Sequence, residues 1–303
     1  MDKPVTRSIA LSLNNPSSAS QIAGDAAQLR PSPGKLPFRP RKIRKIITTK
    51  AAAVAAAKTT ASYSPPIPAV AKPLSTEGEI AVALNHLRKS DPLLASLIDR
   101  HAPPKFDTSK PPFTSLARSI IFQQLATNAA QSIYARFLAL CVGGGGGGGG
   151  EILPDAVLAL TASQLREAGV SGRKAGYLHD LAGKFRDGSL SDSAILEMSE
   201  EALLERLTAV KGIGVWSVHM FMIFSMHKPD VLPVGDLGVR KGVQSLYGLK
   251  GLPEAAEMEM VCEKWRPYRS VGAWYMWRLV EANAAAVKAA NKKVKKVTVV
   301  AVL

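Results

Sequence analysis

From about residue 77 onward, large apolar residues recur at helical spacing, and before that point they are sparse. The pattern predicts helices near 77–89, 92–101, 113–125, 128–141, 154–167, 172–186, 199–208, 214–226, 237–247, 253–264 and 270–288. No stretch after residue 76 alternates apolar and polar positions as a half-buried strand does, so the expected fold is all-α. Local signals agree. Thr161 followed by Gln164 reads as a capping box, and Pro253 suits a first helical turn. The 214–226 segment, read as an amphipathic helix, is the most apolar. It is interrupted by His219 and is too short to span a bilayer, so no membrane partner is expected.

Composition changes this picture at the two ends. Residues 1–75 are rich in Ala, Pro, Ser and Lys, bury too little to offset ordering entropy, and are expected to be a disordered basic tail. The formal net charge is +15, but 12 of the 39 basic residues lie in 1–75 with only 2 acidic ones. Residues 284–303 add 5 basic residues and no acid, and read as a second, solvated basic tail. Between them, in 76–283, 22 basic side chains balance 22 acidic ones. A chain basic throughout, of the histone kind, is excluded. The neutral middle is long enough for a helical domain with a real core. The glycine run at 143–150 interrupts it as a flexible loop, since octaglycine has no side chain to define a phosphate contact.

Two further features bear on compartment and cofactors. The basic cluster at 39–45 is compatible with nuclear import, and the expected location is the nucleus; the Ser- and Ala-rich, acid-poor leader makes a plastid or mitochondrial transit peptide the alternative. Cys141 and Cys262 are the only cysteines, which is too few for a four-thiolate zinc or iron–sulfur site. No metal or required cofactor is expected.

The chemistry concentrates after residue 207. A helix ends near Val210, Gly212-Ile213-Gly214 makes a tight turn, and another helix starts at once. Glycines on either side of one apolar residue let backbone N–H groups at a helix start approach phosphate oxygens, while Ile213 plugs the turn into the core. The residues alone also allow a plain helix–turn–helix corner. Further on, Leu232-Pro-Val-Gly-Asp236 sets a carboxylate in a Pro/Gly loop at or near the start of the next helix, where it is either a cap or a reactive group.

Taken together, these motifs resemble the helix-hairpin-helix DNA glycosylase superfamily with its Gly/Pro–Asp motif, over roughly 111–280. Phe122-Gln-Gln-Leu-Ala-Thr-Asn-Ala-Ala130 looks like the segment that inserts into DNA at the lesion. Val170-Ser-Gly-Arg-Lys-Ala-Gly-Tyr177 looks like the family's lysine turn. Trp265-Arg-Pro-Tyr-Arg-Ser270 with Trp274-Tyr-Met-Trp277 is similar to the closing motif of the 3-methyladenine DNA glycosylase II branch. The resemblance implies two helical lobes with the active-site cleft between them. In the lyase-competent branches a nucleophilic lysine stands two residues after the second hairpin glycine, where this chain has Trp216, so no Schiff base forms by that route.

The resemblance therefore implies a monofunctional glycosylase of base-excision repair that acts on alkylated purines in double-stranded damaged DNA, as a monomer. Asp236 is the expected catalytic carboxylate, facing the oxocarbenium-like sugar. Trp216, Trp277 and Met220 are the expected base pocket, although helical core is the plainer reading of Met220. Lys211, Gly212, Ile213 and Gly214 are expected to grip phosphate, with Gln124 or Leu125 filling the emptied stack. Tyr268, Arg269 and Ser270 are expected to brace the Asp236 loop, and His219 to be a core histidine. The hairpin carbonyls are a candidate site for a monovalent cation. Two rivals remain open: a glycosylase for hypoxanthine, uracil or etheno-adenine, and a non-catalytic hairpin module that binds DNA.

Overall fold

A computed structural model describes residues 71–106, 110–143 and 152–300, without the side chains of 143 and 291–300. Most of the expected N-terminal tail, its basic cluster at 39–45 and nearly all of the glycine run lie outside the described residues. Among those described, every regular element is helical.

The order is α1 (Glu79–Ser90), α2 (Pro92–Arg100), α3 (Pro112–Phe122), α4 (Thr127–Gly143), α5 (Pro154–Ala159), α6 (Ala162–Glu167), α7 (Gly172–Arg186), α8 (Asp192–Glu197), α9 (Glu200–Thr208), α10 (Val215–Phe224), α11 (Leu237–Tyr247), α12 (Ala255–Cys262), a 3-10 turn (Glu263–Trp265) and α13 (Arg269–Val300). Side-chain caps begin many of them. Asp91, Thr161, Ser171, Ser191, Ser199 and Asp236 each accept from a first-turn N–H. Such caps contribute about 1 kcal/mol each.

Several differences from the sequence reading have local causes. The expected capping box is present, with Thr161 and Gln164 bonded reciprocally, and it divides the 154–167 helix into α5 and α6. The Ser191 cap starts α8, a six-residue helix too short to show a period. Pro253 stands outside α12, whose cap position is Glu254; the Pro253 carbonyl accepts from Arg240 instead. Helix α13 continues through the basic segment to Val300 rather than ending near 288, so 284–300 is helix and not an irregular tail. The domain also begins earlier than residue 76. Leu74 is buried in the core and donates its N–H to the His227 carbonyl at 2.8 Å.

The helices pack as two groups. One is built on α3 to α10, with α7 against α3, α5 and α6 and with α10 against α3 and α9. The other sets α13 against α11, α2, α1 and the 3-10 turn. Helix α10 is buried along Val218 to Ile223 without interruption, so it is a central helix and not the amphipathic one expected. In the second group Gly242 lets α11 approach α13 closely, since a Cβ there would lie 2.5 Å from the Met276 Cβ. Asp91 ties this group together. It caps α2, accepts from Trp265 Nε1 at 2.9 Å and from the Tyr247 hydroxyl, and lies 3.5 Å from Lys264 Nζ. No helix among the described residues is long and apolar enough to cross a membrane.

Candidate active site

The seam between the two helix groups is where Trp216 of α10, Asp236 at the head of α11 and Trp277 of α13 meet. The loop before Asp236 is held from below. Ser270 Oγ donates to the Lys228 carbonyl at 2.7 Å and accepts from Val231 N at 3.0 Å. Arg269, 5 % exposed, donates to Asp230 Oδ1 at 2.7 Å and to Glu259 at 2.8 Å. Both residues brace the loop as expected. Tyr268 does not, because its hydroxyl donates to Glu79 Oε1 at 2.9 Å and so anchors α1.

Asp236 itself is 5 % exposed. Oδ1 accepts from Val239 N at 2.8 Å and from Trp277 Nε1 at 2.9 Å, and Oδ2 accepts from Trp216 Nε1 at 2.7 Å. The cap role is present, and it leaves the reactive role open, because the same carboxylate also accepts from both indoles. One carboxylate is oriented by three N–H donors at a helix start, where the partial positive charge of the helix end also favours an anion.

Both indoles thus hold the carboxylate, a role that residue type alone did not suggest. Trp216 remains half-buried and presents ring surface, whereas Trp277 is 3 % exposed and tilted against Phe224, with centroids 5.6 Å apart. Phe224 was missed from sequence. Its signal was spacing, for Trp216, Met220 and Phe224 recur every four residues along one face of α10. Met220 is 8 % exposed and packs in the core, the plainer of its two readings. His219 is buried too, and desolvation pushes its pKa below the ordinary value.

The hairpin is built as expected around Ile213, which is 5 % exposed, so any contact it makes with a ligand is through its main chain. Gly212 takes φ +81°, and a Cβ there would fall 2.1 Å from the Tyr177 ring. The Lys211 N–H is already taken by Asp180 Oδ2 at 2.9 Å, while its ammonium group stays exposed. Gly214 is the N-cap position before α10 and has no side chain to cap the first N–H groups of that helix.

The expected insertion segment forms the turn after α3. Gln124 is exposed with φ +53°, while Leu125 is half-buried against the core. Lys174 of the lysine turn donates to the carbonyls of Ile121 and Gln123, both at 2.8 Å. Among the described residues no group of His, Cys, Asp and Glu is placed to hold a metal ion.

Residues 117–267 match the family model described as HhH-GPD superfamily base excision DNA repair protein. The DNA-3-methyladenine glycosylase 1 of Schizosaccharomyces pombe is 32 % identical over 186 residues, which is 61 % of this chain and 79 % of that protein. The chain belongs to the HhH-GPD superfamily. Among solved structures, a Bacillus halodurans DNA-3-methyladenine glycosidase is 31 % identical with a TM-score of 0.59, and the match covers 67 % of this chain and 91 % of that one. The S. pombe 3-methyladenine DNA glycosylase in complex with abasic DNA is also 31 % identical, with a TM-score of 0.55 and coverage of 65 % and 95 %. The hairpin and the Asp236 loop of this HhH-GPD protein both fall inside the span matched by the family model.

Proposed function

We propose that the protein is a monofunctional DNA glycosylase that hydrolyses the N-glycosidic bond of alkylated purines of the 3-methyladenine and 7-methylguanine type. It acts as a monomer on a nucleotide flipped out of duplex DNA and leaves an abasic site. The observation that carries this is the buried Asp236 carboxylate, held by two indole N–H groups and its own helix start.

As the glycosidic bond breaks, positive charge develops on the deoxyribose. A carboxylate already fixed in orientation stabilises that charge without reorganising and orients the attacking water. An alkylated purine leaves as a neutral base from a cationic state, so a second carboxyl acting as general acid is not needed. The half-exposed Trp216 ring offers a cationic purine a face, worth on the order of 1–2 kcal/mol when desolvated.

Phosphate binds the uncapped start of α10 at Gly214 and the exposed Lys211 ammonium group, and Gln124 fills the emptied stack. The reading includes a monovalent cation at the hairpin, where the carbonyls of Val210 and Gly212 each accept an internal N–H donor and keep a second lone pair. The missing amine at position 216 supports hydrolysis without strand cleavage, since an indole forms no Schiff base.

Two experiments test the reading. Asp236→Asn keeps a capping side chain and should lower 3-methyladenine release by roughly a hundred- to thousandfold while DNA binding persists. Unchanged release would sink the assignment. Borohydride should fail to trap the protein on DNA, and efficient trapping would overturn the monofunctional part alone.

A further inference from the structure

One face of α7 holds two parts of the molecule that are 89 residues apart in sequence. Lys174, Tyr177 and Asp180 follow one another at three-residue intervals, so they share that face. Asp180 takes the Lys211 N–H, and the Tyr177 ring fills the space that a side chain at position 212 would need. Lys174 reaches the other way, to the last carbonyls of α3, which have no partner within their own helix.

Gln123 closes the circuit. Its side-chain amide donates to the Gly212 carbonyl at 2.8 Å, and its own carbonyl accepts from Lys174. Between these tethers Gln124 is held exposed in the left-handed region, at φ +53°. That conformation is unfavourable for glutamine and persists only where the surroundings enforce it. The Lys174 ammonium is partly desolvated, which lowers its pKa, and carbonyl oxygens are its bonded partners.

We propose that Gln123 and Lys174 are positioning residues that lock the Gln124 turn to the hairpin at 212–214, so that stack-filling and phosphate grip are applied to DNA as one rigid unit. The proposal rests on the base-flipping part of the glycosylase reading, not on its bond-breaking part, and specifies how that site opens a base pair. Neither residue touches the reacting sugar. Their effect is confined to lesions that must be pulled from a paired stack, because a base without a partner leaves the stack at little cost.

The test compares single-turnover base release from two duplexes, one with the lesion paired and one with it opposite an abasic site. Gln123→Leu removes the amide donor and keeps the side-chain bulk. The expected result is a loss of roughly ten- to a hundredfold on the paired lesion, with the unpaired lesion cut at close to the wild-type rate. Lys174→Met should repeat that split, and Lys174→Arg should restore much of it. Equal losses on both duplexes, or no loss on either, would overturn the proposal. Flipping is also read without chemistry, from 2-aminopurine fluorescence on binding. A wild type that raises this signal but releases no base would overturn the glycosylase reading and leave this one standing, provided that Q123L lowers the signal. If Q123L leaves it unchanged, this one falls.

Discussion

Trp216 donates its indole N–H to Asp236 at 2.7 Å, from a residue two places beyond the hairpin to the head of the next long helix. This bond gives Trp216 a role in orienting the carboxylate besides the ring surface it presents. Trp277 completes the arrangement at 2.9 Å from the other carboxylate oxygen. The two tryptophans approach from different helix groups, so Asp236 keeps all three donors only when both groups are in place.

Replacing either indole by a ring without its N–H separates aiming from packing. Trp216→Phe and Trp277→Phe keep an aromatic ring but leave a carboxylate oxygen one donor short. Each should lower the single-turnover rate of base release by roughly ten- to a hundredfold, the scale of a lost preorganised hydrogen bond to a reacting charge. Trp277→Phe lies at a buried position and should also reduce thermal stability, by about 1–2 kcal/mol, whereas the half-exposed Trp216→Phe should cost less. Full activity in both variants would show that the carboxylate is oriented by its backbone cap alone.

Gly242 controls the distance between the helices that carry Asp236 and Trp277. A methyl group there would lie 2.5 Å from the Met276 Cβ and 2.8 Å from the Met276 carbonyl oxygen. Gly242→Ala should therefore separate α11 from α13 and destabilise the fold by about 1–3 kcal/mol. Base release measured below the melting transition should fall by more than the folded fraction does. A loss explained by unfolding alone would mean that the Asp236–Trp277 bond tolerates the shift.

Acid sensitivity should trace in part to Asp91. Burial alone would raise its pKa, but hydrogen bonds from Tyr247, Trp265 and the Leu94 N–H, with the Lys264 charge, outweigh it and hold the carboxyl below the ordinary 3.8. A depressed pKa in the folded protein means that the stabilisation is present above 3.8 and is lost as pH falls through the lower folded value. Asp91→Asn should lower stability near neutral pH by about 1–3 kcal/mol, with the gap to wild type narrowing below about pH 4. Melting curves across that range check it; a gap independent of pH would show that the ionised form is not what the site stabilises.

The excess positive charge lies in the two ends of the sequence, in residues 1–75 and 284–303. Deleting residues 1–75 removes 12 basic and 2 acidic side chains, and Leu74 with them, so the informative truncation stops before residue 70. That shorter deletion should flatten the salt dependence of DNA binding more than it lowers base excision at low salt. Binding measured across a salt series, alongside excision, decides between this outcome and a direct role for the tail in the reaction.

The helical class, the hairpin and the place of the Asp236 carboxylate at a helix start were legible in the residues alone. Those are local properties: an apolar period, two glycines around Ile213, and a Pro/Gly loop before Asp236 are readable wherever the chain later packs. The sequence also indicated which residues brace the loop, correctly for Arg269 and Ser270 and incorrectly for Tyr268, whose partner Glu79 is 189 positions away. The partners of the tryptophans and of Lys174 came from helix packing. A hydrogen bond from Trp277 to Asp236 spans 41 positions, and one from Lys174 to the Ile121 carbonyl spans 53. No period or spacing encodes such pairings, because they depend on which helix faces which. The orientation of Asp236 belongs to the same class: its cap bond to Val239 is local, but two indoles reach it from helices elsewhere in the fold.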